Sequence, residues 1–367
     1  MTSNIIYPGK IQIGVIVIKT GLIAFLGSGE TSSTGGQIFE TIASKLEIPV
    51  KIRILETPAG FELNASRVAG RVGEFLSIRL QNYQPDIKLI SARRRGTPES
   101  PDSPAVLQDM LDAQVLFMGP GSPTYAVRQL KGSLAWDYLR TLHRLGCAVV
   151  LASAATISLG EVALPVYEIY KVGEDPFWKP GLDFFKPYGL SLAFIPHWNN
   201  TDGGSELDTS HCFMGLARYE PLYSQLPPGL TVVGLDEHTG VVMDLNEEIC
   251  HVIGRSQVHI ISDGQETVYQ NGDRFDIHQL GDFHPLEDVQ EGIDPVVWKQ
   301  VSAQRQTLQS ARSQPEETPA TVLELVEQRQ AARLNKRWDE SDQLRDKIVA
   351  LGWNVKDTPQ GPQLERS

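Results

Sequence analysis

The chain of 367 residues has only three cysteines, Cys147, Cys212 and Cys250. None lies in a Cys-x-x-Cys or other closely paired spacing, which argues against a disulfide framework or a structural zinc site. The expected setting is a reducing one, and the expected location is cytoplasmic. Long apolar runs are also missing. Ile11–Ile18 is short and is followed by Lys19-Thr20 and a second short run, Leu22–Leu26. A bilayer span needs about 20 apolar residues, and a secretory leader needs a longer apolar region with a small-residue cleavage site. Two strands are therefore expected here, with no membrane contact. Positive charge is in deficit: 33 Lys and Arg stand against 45 Asp and Glu, for a net charge of −12 and a pI near 5.2. That balance disfavours phosphate-backbone or anionic-membrane binding as the main task. Neither G-x-G-x-x-G nor G-x-x-x-x-G-K-[ST] occurs, and no ligand spacing suggests a metal or cofactor, so none is expected.

What is present is ordinary globular material, 41% hydrophobic and 21% charged. That is enough for a full core, in one large or two ordinary domains. Candidate strands Leu22–Leu26, Lys51–Glu56, Ile87–Ser91, Val115–Met118 and Ala148–Ala152 alternate with helix-like stretches such as Gly36–Leu46, Ser66–Leu80, Ala105–Leu111 and Pro123–Leu130. This alternation predicts an α/β domain with a parallel sheet flanked by helices. Its active site then lies in loops beyond the carboxyl ends of the strands. After residue 190 short strands (Leu192–Ile195, Thr231–Leu235, Gly240–Met243, Gln257–Ile261, Thr267–Gln270) are separated by turn pairs such as Asp263-Gly264 and Asn271-Gly272. They read as the far side of the same domain, ending in an antiparallel hairpin or meander. The expected division is an α/β domain over 1–283, a linker over 284–320 and a small helical hairpin with a short strand over 321–365.

The stretch Ala148-Val149-Val150-Leu151-Ala152-Ser153-Ala154-Ala155-Thr156 runs a buried strand into small residues. A nucleophile elbow needs this pattern, because a sharp strand-to-helix turn pushes the serine hydroxyl out of the sheet edge. The residue that follows, Ala154, can aim its N–H at a developing oxyanion. The positions that commonly hold glycine are here Leu151 and Ala155. The plainer reading makes Ser153 a helix N-cap. Met118-Gly119-Pro120-Gly121-Ser122-Pro123 also joins a strand to a helix, and Gly119 and Gly121 are candidates for a second oxyanion donor; a simple turn is the alternative. Gly27-Ser28-Gly29-Glu30 occupies the same kind of loop, and Gly29 and Glu30 read as pocket wall.

A nucleophilic serine needs a base and an orienting group. His197, just past the apolar run Leu192–Pro196, is the best-placed imidazole, against the reading of a polar loop histidine. Glu237 after Thr231–Leu235 is the candidate carboxylate, with Asp236 and Asp202 as alternatives; turn formation is the plain role for all three.

These motifs together, Gly27–Glu30, Phe117–Gly121, Ala152-Ser153-Ala154, Ile195–Trp198 and Gly234–Thr239, resemble the serine peptidase family that contains cyanophycinase and dipeptidase E. The resemblance covers roughly residues 20–275. It implies a class I glutamine amidotransferase-like fold, with Ser153 as nucleophile, His197 as general base and acid, and Glu237 fixing the imidazole. It also implies oxyanion N–H groups from Gly119 or Gly121 with Ala154, and cleavage beside aspartyl residues. Separately, Leu325–Arg333, Trp338–Asp346, Leu351-Gly352 and Asp357–Gly361 resemble the C-terminal end of cysteinyl-tRNA synthetase, without that enzyme's catalytic signatures.

The sequence thus predicts a serine hydrolase, expected to be a peptidase acting on a peptide or amide substrate. The competing reading is an inactive amidotransferase-like scaffold that binds a partner through its C-terminal hairpin. Residues 321–367 hold eight basic and eight acidic side chains. A tRNA contact there would lack a strong basic footprint, and protein docking is the alternative. A homo-oligomer is compatible with the sequence.

Overall fold

In this computed structural model, residues 19–313, 319–358 and 361–366 are described. The strand expected over Ile11–Ile18 lies outside them. The chain folds as two compact units, Met1–Gln306 and Thr307–Ser367.

In the first unit, aliphatic and β-branched runs become strands β1 (Ile23–Leu26), β2 (Lys51–Leu55), β3 (Asp86–Ile90), β4 (Val115–Met118), β5 (Ala148–Ala152), β6 (Leu192–Ile195), β7 (Thr231–Leu235), β8 (Thr239–Asp244), β9 (Ile249–Gly254), β10 (Gln257–Ser262), β11 (Gln265–Gln270) and β12 (Arg274–Asp276). Eight of them form one sheet in the order β12-β9-β8-β1-β5-β4-β2-β3. From β1 to β3 the neighbours are parallel, while β8, β9 and β12 add antiparallel. Between the strands run α1 (Ser33–Ala43), α2 (Ala65–Arg79), α3 (Pro123–Leu130) and α4 (Leu134–Arg144); a short α5 (Ala154–Ser158) follows β5 directly. The expected α/β class, with a mostly parallel sheet flanked by helices, is what the chain adopts.

The strands after residue 190 stay in the same unit and include the expected antiparallel hairpin, β10 with β11, but they divide between two sheets. β6 and β7 pair in parallel and join β10 and β11 in a separate sheet of order β11-β10-β7-β6. The period-2 alternation of the central strands explains how two sheets are accommodated. Ala24, Leu26, Val115, Phe117 and Val150 point to one face, under Ile38, Phe39 and Ile42 of α1 and Val72 and Leu76 of α2. Phe25, Leu116, Val149 and Leu151 point to the other, where they meet Phe194, Val233 and Leu235 of the second sheet. Phe25 and Phe194 stack with centroids 4.3 Å apart and planes 19° from parallel. Two apolar faces buried against each other fix the separation of the sheets, and the site depends on that separation.

Residues 284–320, expected as a linker, contain a helix, α6 (Pro295–Ser313). Its Trp298, Val301 and Arg305 are buried at helical i, i+3, i+7 spacing. Arg305 donates to the carbonyls of Ala113 (2.7 Å) and Leu111 (3.3 Å). No described helix is long and apolar enough to cross a membrane. The second unit contains α7 (Ala320–Leu334), α8 (Trp338–Ala350) and the antiparallel pair β13 (Trp353–Thr358) and β14 (Gly361–Arg366). Val322, Val326, Ile348 and Val355 make its core. The buried Arg329 grips Asp357 with two hydrogen bonds of 2.7 and 2.8 Å.

Candidate active site

Ser153 follows β5 with φ 51° and ψ −114°, a conformation that costs a non-glycine residue roughly 1–3 kcal/mol and persists only when its surroundings impose it. Packing imposes it here. The Ser153 N–H donates to Leu26 O (3.3 Å), and its carbonyl accepts from Ile157 N (3.1 Å) in α5. Leu151 and Ala155 are fully buried in the core between the sheets, so the leucine at the place of a common elbow glycine is absorbed by packing. Ser153 stands at the N-cap position of α5, yet its side chain makes no capping hydrogen bond. Its Oγ lies 3.0 Å from Nε2 of His197 instead.

His197 comes from the other sheet, two residues past β6, with φ 53°. The parallel register aligns Ile195 with Gly234, so the residues just beyond β6 and β7 emerge together. His197 Nδ1 is 3.0 Å from Glu237 Oε1. The same carboxylate oxygen accepts from Asn200 Nδ2 at 2.8 Å, and the Glu237 N–H donates to Asn199 Oδ1 at 2.8 Å. The hydrogen bond from His197, followed by that from Asn200, holds the Glu237 carboxyl at about 2 against the opposing effect of burial. An ionised Glu237 beside Nδ1 favours the tautomer that leaves Nε2 free to accept the serine proton.

The sequence reading missed Asn199 and Asn200, although they directly follow His197-Trp198. Asn200 is almost wholly buried, which makes its hydrogen bond to the carboxylate a fixed one. Trp198 anchors the same turn: its N–H donates to Leu235 O (3.0 Å) and its indole lies on Gly234, where a Cβ would come within 2.5 Å of a ring carbon. Only glycine allows that approach.

The other sequence candidates separate cleanly. Gly121, Ser153, Ala154 and His197 line one cavity of about 340 Å³, with Tyr170 and Phe213 on its apolar side. Gly121 holds φ 152°, and a Cβ there would lie 2.1 Å from Pro58 O. Gly119 is not in this wall; it borders a separate void of about 20 Å³ beside Pro58 and Phe117. Gly29 and Glu30 are not lining residues of the cavity either. Gly29 packs on the His238 imidazole, Ser28 Oγ accepts from His238 N (3.1 Å), and Gly27 N donates to Thr239 O (2.8 Å). That loop braces the turn carrying Glu237.

Asp236 is turned away from His197 and accepts from Ser256 Oγ and from Gln257 N (3.1 Å), tying β7 to β10. Asp202 lines the cavity, but its backbone N–H is held by Asn200 Oδ1 (3.1 Å) and its carboxylate makes no hydrogen bond to His197. Cys212 also lines the cavity, where burial pushes its thiol up to about 12, so it carries no thiolate at neutral pH. Among the described residues no group of three or more His, Cys, Asp or Glu side chains is arranged to hold a metal ion.

Residues 316–363 match the family of the cysteinyl-tRNA ligase anticodon binding domain. Curated relatives over this region are cysteine–tRNA ligases. That of Methanosarcina mazei is 46% identical over 57 residues, which is 16% of this chain and 12% of the ligase. That of Caldicellulosiruptor saccharolyticus is 44% identical over 59 residues, or 16% and 13% of the two chains. The chain thus spans about an eighth of the length of the curated relatives it matches. Among solved structures, a peptidase from an acI-B1 Actinobacterium superposes with a TM-score of 0.56 at 18% identity, covering 71% of this chain and 98% of that one. The likeness establishes a shared fold.

Proposed function

We propose that the chain is a serine hydrolase of the peptidase type that cleaves a peptide or amide bond through an acyl-enzyme. The observation that carries this reading is the hydrogen-bonded series Ser153 Oγ, His197 and Glu237, with both contacts at 3.0 Å, starting from a serine held in a strained turn. Ser153 Oγ attacks the scissile carbonyl carbon while its proton passes to His197 Nε2. The carbonyl oxygen becomes an oxyanion that the backbone N–H groups of Gly121 and Ala154 stabilise. Collapse breaks the C–N bond, and His197 returns the proton to the leaving amine. Water then attacks the acyl-enzyme with its proton going to His197, and the acid product departs as Ser153 regains its proton. Glu237 keeps the imidazole oriented and stabilises its cationic form. The Actinobacterium peptidase of the same fold adds support by analogy alone. A fluorophosphonate probe should label the protein, and Ser153→Ala should abolish the labelling. Labelling that persists in the variant, or that never occurs in folded protein, removes the reading.

The domain division belongs to the same proposal: a hydrolase domain, and a C-terminal unit that engages RNA. The second role is favoured by the match to an anticodon binding domain and by Trp338. This residue is 54% exposed with the Arg333 guanidinium 5.6 Å from its ring, a surface on which an unpaired base can stack. A cytoplasmic location fits both roles and the buried, unpaired cysteines.

A further inference from the structure

A second cavity, of about 600 Å³, adjoins the one that holds Ser153. Tyr167 belongs to the walls of both. The end of the loop and the first residues of α3 separate them, with Gly121 and Pro123 toward the serine and Ser122 and Thr124 toward the larger space. The larger cavity combines aromatic surface from Phe61, Tyr125 and Tyr167 with three cations, Arg128, Lys131 and Lys179, against a single carboxylate, Glu168. Glu168 already answers Lys179 at 3.3 Å. Arg128 lies 5.1 Å from the Tyr125 ring centroid, and Lys131 Nζ donates to Gly181 O (3.1 Å). Among the described residues neither of these two has a carboxylate within ion-pair distance. Lys131 does act on the carboxyl of Asp183, which is not a lining residue, so Arg128 is the less compensated of the two; in a chain of net charge −12 the cations of this cavity still concentrate positive potential on one spot.

We infer that the two cavities form one substrate cleft, and that the larger is a subsite for a carboxylate carried on the substrate at a distance from the bond that Ser153 cleaves. The inference rests on the hydrolase reading for its catalytic end. The apolar and aromatic walls take the connecting part of the substrate, and Arg128 and Lys131 take its anionic end. Charge remote from the reacting carbonyl then supplies binding energy that positions the scissile bond. A dipeptide would fill only the smaller cavity, so the preferred substrate is longer than that.

The test is protection of Ser153 from a fluorophosphonate probe by two matched sets of short N-acyl peptide amides. One set carries a terminal succinyl or glutaryl carboxylate, and the other carries the corresponding primary amide. The anionic set should protect at concentrations at least ten-fold lower, and the gap should narrow as salt screens the interaction. Arg128→Met combined with Lys131→Met should close the gap, whereas Arg128→Lys should retain most of it. A ratio between two ligands is insensitive to the amount of folded protein, so a poorly folding variant does not mimic the result. Equal protection by both sets, or an undiminished gap in the double variant, overturns the inference. If the probe fails to label the parent protein, the hydrolase reading falls instead. The same two sets are then compared by calorimetric titration, where equal affinities overturn the subsite and a ten-fold preference for the carboxylate upholds it.

Discussion

At the scale of the residue, the proposed chemistry rests on few atoms. Glu237 owes its low carboxyl value first to the hydrogen bond from His197, and that contact has a measurable consequence. A carboxyl that titrates at about 2 in the folded chain, against an ordinary 4.5, contributes stability that is complete above 4.5 and is lost as pH falls toward 2. Glu237→Gln should therefore destabilise the protein most at neutral pH, with the gap between parent and variant shrinking below about pH 4.5 in denaturant titrations. A gap that widens on acidification contradicts the assignment. The same variant should lose ~10²–10⁴-fold in kcat, since an amide no longer selects the right imidazole tautomer. The sequence marked Ser153, His197 and Glu237 as candidates because each follows a strongly apolar strand, and the fold brings the three within hydrogen-bond distance. It could not choose between Gly119 and Gly121, which depends on the path of a four-residue loop, nor exclude Asp236, whose hydrogen bonds come from residues 20 and 21 positions away. Asn200 stayed hidden for the same reason: nothing local marks an asparagine that will meet a carboxylate 37 residues on.

At the scale of the element, strand existence was the most legible quantity. Val115–Met118, Ala148–Ala152, Leu192–Ile195 and Thr231–Leu235 stand where their apolar runs predicted. What the runs could not state was partnership. β6 and β7 look in sequence like any other strands of an α/β domain, yet they pair in a second sheet, since pairing is settled by long-range burial rather than by local pattern. β9 was missed although Cys250 and Val252 alternate inward, and β12 is only three residues long. In α6 the buried Trp298, Val301 and Arg305 are diluted among Gln and Ser. Element geometry also yields a prediction. The turns after β6 and β7 are clasped where Trp198 lies on Gly234. A methyl group at 234 would strike a buried aromatic ring rather than a flexible chain end. Gly234→Ala should slow fluorophosphonate labelling at least ten-fold while the circular dichroism spectrum remains that of the parent. Labelling at the parental rate would show that this clasp does not set the position of His197.

At the scale of the whole molecule, the acidic charge resides in residues 1–320, and residues 321–367 are neutral. An RNA contact made by such a segment should draw on stacking and base-edge hydrogen bonds more than on counterion release. Filter binding of full-length protein to a short stem-loop RNA should show a shallow dependence on salt. Trp338→Ala should weaken it by roughly 1–3 kcal/mol, the range for one stacked base. A steep salt slope with no effect of Trp338→Ala would assign the contact to another surface. The two resemblances could be read independently of each other because each is carried by its own short motifs, whereas the observed boundary at Gln306 falls inside the stretch expected as a linker.

The claim on which the rest stands is that His197 activates Ser153. It is tested most directly by the rate at which a fluorophosphonate modifies the protein, with the adduct located by peptide mass mapping, in the parent and in His197→Ala. A single adduct on Ser153 is expected, with a fall in rate of about 10³-fold or more when the imidazole is removed. An adduct on another residue, or a rate indifferent to His197, would contradict it.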